Sequence, residues 1–169
     1  MNSKIFNEKN LTDEQMDGNV LRVKAFIINP QNEILVALSN GGVQLIGGHV
    51  EENEEEKQTL IREIKEEAGI EVSYEEISDA FYEVKHYINN YYNTGKNIIA
   101  IMHYYIVKTD KAPDFEKVHL TEQEKGYAFS LKQIPFDSFK EFLIEFLNNG
   151  KEINRIIAAE TLEAFNNIK

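Results

Sequence analysis

Three carboxylates set the chemistry of this sequence: Glu63, Glu66 and Glu67, three and four residues apart, behind a Gly47-Gly48 turn. On a helix, that spacing sends all three out of one face as neighbours. Like charges at i and i+4 cost an isolated helix about 0.2–0.5 kcal/mol, so Glu63 stacked on Glu67 asks for a cation. Hard oxygen donors point to Mg²⁺, with Mn²⁺ as a substitute. A Glu-rich run is more often a solvated helix face. The like-charged pair and the Gly-Gly entry weigh against that reading here.

The elements that must hold these groups follow from periodicity and turn chemistry. Residues 54–68 form the carboxylate helix, with Leu60, Ile61, Ile64 and Ala68 as an apolar stripe beside the acidic one and Gly69 closing it. Residues 20–28 and 33–38 are β-rich runs joined by Asn29-Pro30-Gln31-Asn32, which predicts a hairpin. Short extended pieces at 43–46 and 49–51 flank the Gly pair, and another is expected at 71–73. Residues 80–87 and 97–107 read as paired strands, and 127–134 as a further strand. A helix then starts with Asp137 as N-cap and carries Phe139, Phe142, Leu143, Phe146 and Leu147 on one face. A last amphipathic helix spans 153–165, with Ile153, Ile156, Ile157 and Leu162 as its apolar side. The pattern is an α/β fold, a mixed sheet flanked by helices.

A chain of 169 residues with 42% apolar content fits one globular domain over 1–169, with core material for both faces of a sheet. The net charge of −11 is concentrated locally, since residues 51–67 hold eight Glu against Lys57, Arg62 and Lys65. Such a surface repels polyanions and argues against unaided nucleic-acid binding, leaving small phosphorylated ligands carried in with metal. The absence of cysteine removes disulfides, thiol nucleophiles and Cys-ligated zinc. Residues 1–17 lack the apolar core of a signal peptide, and the longest aliphatic run, 98–102, is too short to span a bilayer. These features predict a cytoplasmic protein with no membrane partner.

The run from Gly48 through Glu54 to Arg62-Glu63-Ile64-Lys65-Glu66-Glu67-Ala68-Gly69-Ile70 resembles the complete signature of the Nudix hydrolases, the MutT-like family, with every fixed position in register. The resemblance implies an α/β/α sandwich with a mixed β-sheet between helices, extending loosely over 20–147. The helical segment at about 137–169 runs beyond it. It implies that the backbone carbonyl of Gly48 and the carboxylates of Glu63, Glu66 and Glu67 bind divalent metal. Glu54 and Arg62 then position the loop and the ligand helix. A later loop often adds an acidic ligand or general base, for which Glu122 and Glu124 are candidates and Glu124 is preferred.

The implied reaction is hydrolysis of a diphosphate linkage in a nucleoside diphosphate derivative, most simply a nucleoside triphosphate. Metal would neutralise the phosphates and acidify a water, and a carboxylate would take its proton. ADP-ribose, nucleotide sugars, dinucleoside polyphosphates and RNA 5′ ends stay open as substrates. The alternative is a Nudix-fold module that senses a nucleotide without turnover; such modules typically lose box carboxylates, which this chain keeps. Homodimers are common in the family. Two positions depart from its usual pattern, Ile46 for Pro and Asn53 for Gly, and neither removes a ligand. Asn53 tolerates the left-handed backbone that a Gly would supply there. His49, beside Gly48, is a candidate to touch a substrate phosphate, although a lone loop His is more often an ordinary surface residue. His86, His103 and His119 lack metal-ligand spacing. Tyr87, Tyr91 and Tyr92 sit near a loop that could stack on a base, whereas Tyr on hairpins is more often packing.

Overall fold

A mixed seven-stranded sheet forms the centre of the computed structural model, which describes residues 1–119 and 129–168. Its strands are β1 (Asn2–Phe6), β2 (Gly18–Ile28), β3 (Glu33–Ser39), β4 (Gly42–Gln44), β5 (Tyr82–Ile88), β6 (Ile98–Lys108) and β7 (Ser130–Pro135). The helices are α1 (Glu56–Ala68), α2 (Phe139–Asn149) and α3 (Glu152–Phe165). Strands run in the order β1-β5-β6-β2-β3-β4, with β7 also on β3. The β1/β5 and β2/β6 pairs are parallel, and the remaining pairs are antiparallel.

Period-two alternation in β2 divides the core. Val23, Ala25 and Ile27 face α1, where they meet Leu60, Ile64 and Ala68. Phe26 faces the opposite way, into a layer with Phe139 and Leu143 of α2 and Ala164 of α3. The expected α/β/α sandwich is therefore the observed architecture. Leu60 is fully buried beneath the sheet. Its replacement by Ala is expected to destabilise the fold by about 2–5 kcal/mol, read from urea unfolding, because transfer free energy is lost and a cavity is left.

The hairpin of β2 and β3 is present but short, with only Ile27–Leu35 and Ile28–Ile34 in register. β7 runs along one edge of β3 throughout, so β2 and then β4 share the other edge. Beyond this split the chain after β4 returns along β2. Ile46 bridges Ala25 and His49 bridges Arg22. Backbone bonds Ala25 N–H to Ile46 O, Val23 N–H to Gly48 O and Val50 N–H to Leu21 O, each 3.0 Å, pin the Gly47-Gly48 turn against β2. Ile46, the departure from the usual Pro, is fully buried in the α1 layer.

Several expectations need correction. β1 lies in a stretch read only as polar; four of its five residues are exposed, so an edge strand leaves no burial alternation to read. The piece at 71–73 joins no strand of the sheet, although Ser73 is extended, and a 3-10 turn follows at Tyr74–Glu76. α1 starts at Glu56, two residues late, with the Glu55 amide held by the Gln58 side chain at 3.0 Å. Asp137 is not the N-cap of α2; it sits in the 3-10 turn Phe136–Ser138, and Ser138 takes the cap position. On α3, Ile153 and Ile156 are exposed, while Asn154, Ala158, Glu160, Thr161 and Ala164 are buried. That helix is held in place by polar contacts as well: Asn154 Nδ2 donates to Asn40 O at 3.3 Å, and the Tyr82 hydroxyl donates to Glu163 at 2.9 Å. Among the described residues no helix is long and apolar enough to cross a membrane.

Candidate functional site

Glu63, Glu66 and Glu67 leave α1 on the side of the Gly47-Gly48 turn, where they line a cavity of about 480 Å³. Arg22 and Lys24 from β2, Gln44 from β4, and His49 and His119 line the same cavity, with the His119 amide on the Glu66 carbonyl at 2.8 Å. The acidic helix face thus shares one cleft with Arg22, Lys24 and Arg62.

The local fold explains the approach. Gly47 has φ 138°, and a Cβ there would collide with Val23 O. Gly48 has no such backbone demand, but a Cβ on it would occupy the place of the Glu63 carboxylate. Asn53 takes φ 67°, as its side chain allows, and delivers the chain to α1. Gly69 then closes α1 in the left-handed conformation at φ 68°.

Arg62 organises the acidic side. Its Nε and Nη2 fork onto both oxygens of Glu54, each at 3.0 Å, and Nη1 reaches Glu63 at 2.7 Å and Glu66 at 3.4 Å. Nη2 also donates to His49 O at 3.3 Å, tying helix to loop. The Arg62 hydrogen bonds are the main cause that holds the Glu54 carboxyl down at about 2, and Thr59 Oγ1 adds a donor at 2.7 Å. Glu54 in turn raises the pKa of Arg62.

The sequence singled out His49 but not Lys24. Lys24 Nζ donates to Gly47 O at 2.7 Å and Leu45 O at 3.1 Å, bracing the turn from the other face of the sheet. Burial lowers its pKa, and Glu67 is the largest opposing influence. A signal for it existed: a Lys among Val23, Ala25 and Phe26 in a buried strand needs partners. His49 Nε2 accepts from Arg22 Nε at 3.0 Å, and burial, then Arg22 and Lys24, lower its pKa. It is a member of the cavity wall rather than an isolated surface residue. Arg22 also donates to the Tyr91 hydroxyl at 3.2 Å, whereas the Tyr87 hydroxyl turns away to Asp13 at 2.6 Å.

The donor set bears on whether a divalent cation fits here. Among the described residues no three His, Asp or Glu side chains converge on one point as they stand. The set is nevertheless three hard carboxylates on successive positions of one helix face, with Glu63 seated in the space that Gly48 leaves. Gly48 O accepts from Val23 N–H and Gly47 O from Lys24. A carbonyl keeps a second lone pair after one such bond. These oxygens fit a hard divalent ion. Glu122 and Glu124 lie outside the described residues.

Comparison with known proteins places the fold. The sequence model of the NUDIX domain matches residues 18–149. No curated protein matches in sequence. Among solved structures, the E. coli dihydroneopterin triphosphate pyrophosphohydrolase aligns with TM-score 0.55 at 18% identity, over 85% of this chain and 96% of that one. The MutT protein from Methanosarcina mazei Go1 aligns with TM-score 0.54 at 19% identity, over 89% and 96%. A MutT NUDIX hydrolase from Burkholderia pseudomallei gives 0.54 at 19%, over 83% and 96%. At these identities the likeness is one of fold.

Proposed function

The chain belongs to the Nudix hydrolase family, and from that premise we propose that it hydrolyses a diphosphate linkage in a nucleoside triphosphate or a similar phosphorylated heterocycle, with Mg²⁺ or Mn²⁺. The observation that supports this reading is that the Glu63/Glu66/Glu67 face and the cations Arg22 and Lys24 line one cleft. Carboxylates alone would repel a polyphosphate, and cations alone would bind it without activating water.

The residues to hold the ion are Glu63, Glu66 and Glu67, with the Gly48 carbonyl. The chemistry such an ion supplies when bound is neutralisation of phosphate charge and a lowered pKa for water. Arg22 and Lys24 draw the non-attacked phosphate to the cleft. Arg62 keeps Glu63 and Glu66 oriented. In the hydrolysis, a water oxygen bonds to phosphorus, the bridging P–O bond breaks, and the water's proton goes to a carboxylate, for which Glu67 is our assignment. The compartment we expect is the cytoplasm, and the substrate is a small molecule.

The experiment is product release from nucleoside triphosphates, dihydroneopterin triphosphate, ADP-ribose, nucleotide sugars and dinucleoside polyphosphates, each with Mg²⁺, Mn²⁺ or excess chelator. Metal-dependent release from one class is expected. Saturable binding across the panel without product would replace the hydrolase by a sensor.

A further inference from the structure

A second cavity, of about 560 Å³, lies between the sheet and α3, and it shares Arg22, Lys24 and Gln44 with the acidic cleft. A substrate with its phosphates at Glu63–Glu67 therefore has somewhere to put its other end. The volume suits a bicyclic heterocycle and its sugar. The walls include Leu45, Ile88, Met102 and Ile157, and Tyr91 and Tyr92, packed edge to face at 4.4 Å, also line it.

One charged acceptor breaks this apolar lining. Glu160 of α3 is 9% exposed and lines the cavity. His86 Nε2 bonds its Oε2 at 2.8 Å, and the His86 ring is itself stacked on Phe6 at 4.6 Å and 6°. The carboxylate is thus fixed in orientation. Among the described residues no donor reaches its Oε1. The Tyr104 hydroxyl, on the same wall, is buried without any hydrogen-bond partner among those residues. A buried polar group is rarely left unpaired, and this hydroxyl adjoins an opening of ligand size, as does the Glu160 carboxylate.

We infer that this cavity takes a planar ring presenting two adjacent N–H donors, an amino group beside a lactam N–H, and that Glu160 selects it. The inference rests on the hydrolase reading for where the phosphates lie. A carboxylate only accepts, so it pairs with both donors of such an edge and faces a lone pair on adenine, whose amino group adjoins a bare ring nitrogen. Guanine and pterin rings both carry the two-donor edge. A site built around a buried acceptor discriminates strongly, because the wrong ring leaves it unpaired.

Calorimetric binding of GMP, IMP, AMP and neopterin tests this apart from turnover, since none of these carries a diphosphate linkage. GMP is expected to bind about tenfold or more tightly than IMP, which lacks the amino group, and than AMP. Competition by neopterin would show that the ring edge suffices; tight neopterin with weak GMP would make a pterin the source. Glu160→Gln, checked for folding by thermal unfolding, is expected to cut the GMP-to-AMP affinity ratio about tenfold or more, because its amide offers one donor and one acceptor. Equal affinities in the wild-type protein, or no binding by any of the four, overturns the assignment. Selective GMP binding with no turnover of any diphosphate would sink the hydrolase reading and leave this one standing.

Discussion

Replacing Glu67 with Gln is expected to lower metal-dependent turnover by about 10²–10⁴-fold while the fold survives. Glu67 stands in the last turn of α1, where its Oε2 receives the Gly47 amide at 3.4 Å and its charge favours the ammonium of Lys24. Gln matches the shape and keeps an acceptor for that amide. What it removes is the charge, and with it both affinity for a cation and capacity for a proton. Adding more Mg²⁺ repairs the loss of affinity but not the loss of a proton acceptor, so the remaining defect is expected in kcat at saturating metal. Steady-state rates over a metal titration, alongside a thermal unfolding curve, provide the check. A variant with wild-type kcat would move the proton-accepting role to another carboxylate.

The reason Glu67 could be named from sequence is that α1 advertises itself. Its apolar stripe has period 3.6, its carboxylates share a face, and its stop signal is local to Gly69. The mixed sheet was legible for the same reason, since β2, β3, β5 and β6 carry apolar runs bounded by turn residues, and the sandwich followed from the family resemblance. β1 was not legible, because an exposed strand whose partner is β5, about 80 residues away, has no pattern of its own. α3 misled for a related reason. Isoleucines at helical spacing normally mark the buried side, yet here Ile153 and Ile156 border the cavity, while Asn154 and Glu160 turn inward. Their partners, Asn40 and His86, lie 114 and 74 residues away, and no local signal announces such pairs. Arg22 and Lys24 likewise became part of the site only through the split between β2 and β3.

Replacing Arg62 with Lys is expected to produce a different defect from the loss at Glu67. The charge stays, but the planar fork goes. Arg62 reaches Glu54 with two nitrogens at 3.0 Å, Glu63 at 2.7 Å and the His49 carbonyl at 3.3 Å at the same time. An ammonium on a flexible stem cannot span those three places together, so Glu63 loses its set direction and the loop loses a tie to α1. Because the carboxylates themselves remain, the expected result is an apparent Mg²⁺ affinity weakened about 10–100-fold, with kcat largely restored when metal is raised. Glu54→Gln is expected to follow the same course, since it removes the charge that holds the guanidinium in place. Were Arg62→Lys instead to lower kcat at all metal concentrations with unchanged metal affinity, Arg62 would be acting on the phosphates directly. The contrast between a defect that metal repairs and one that it does not separates a residue that orients the carboxylates from a carboxylate that does the chemistry.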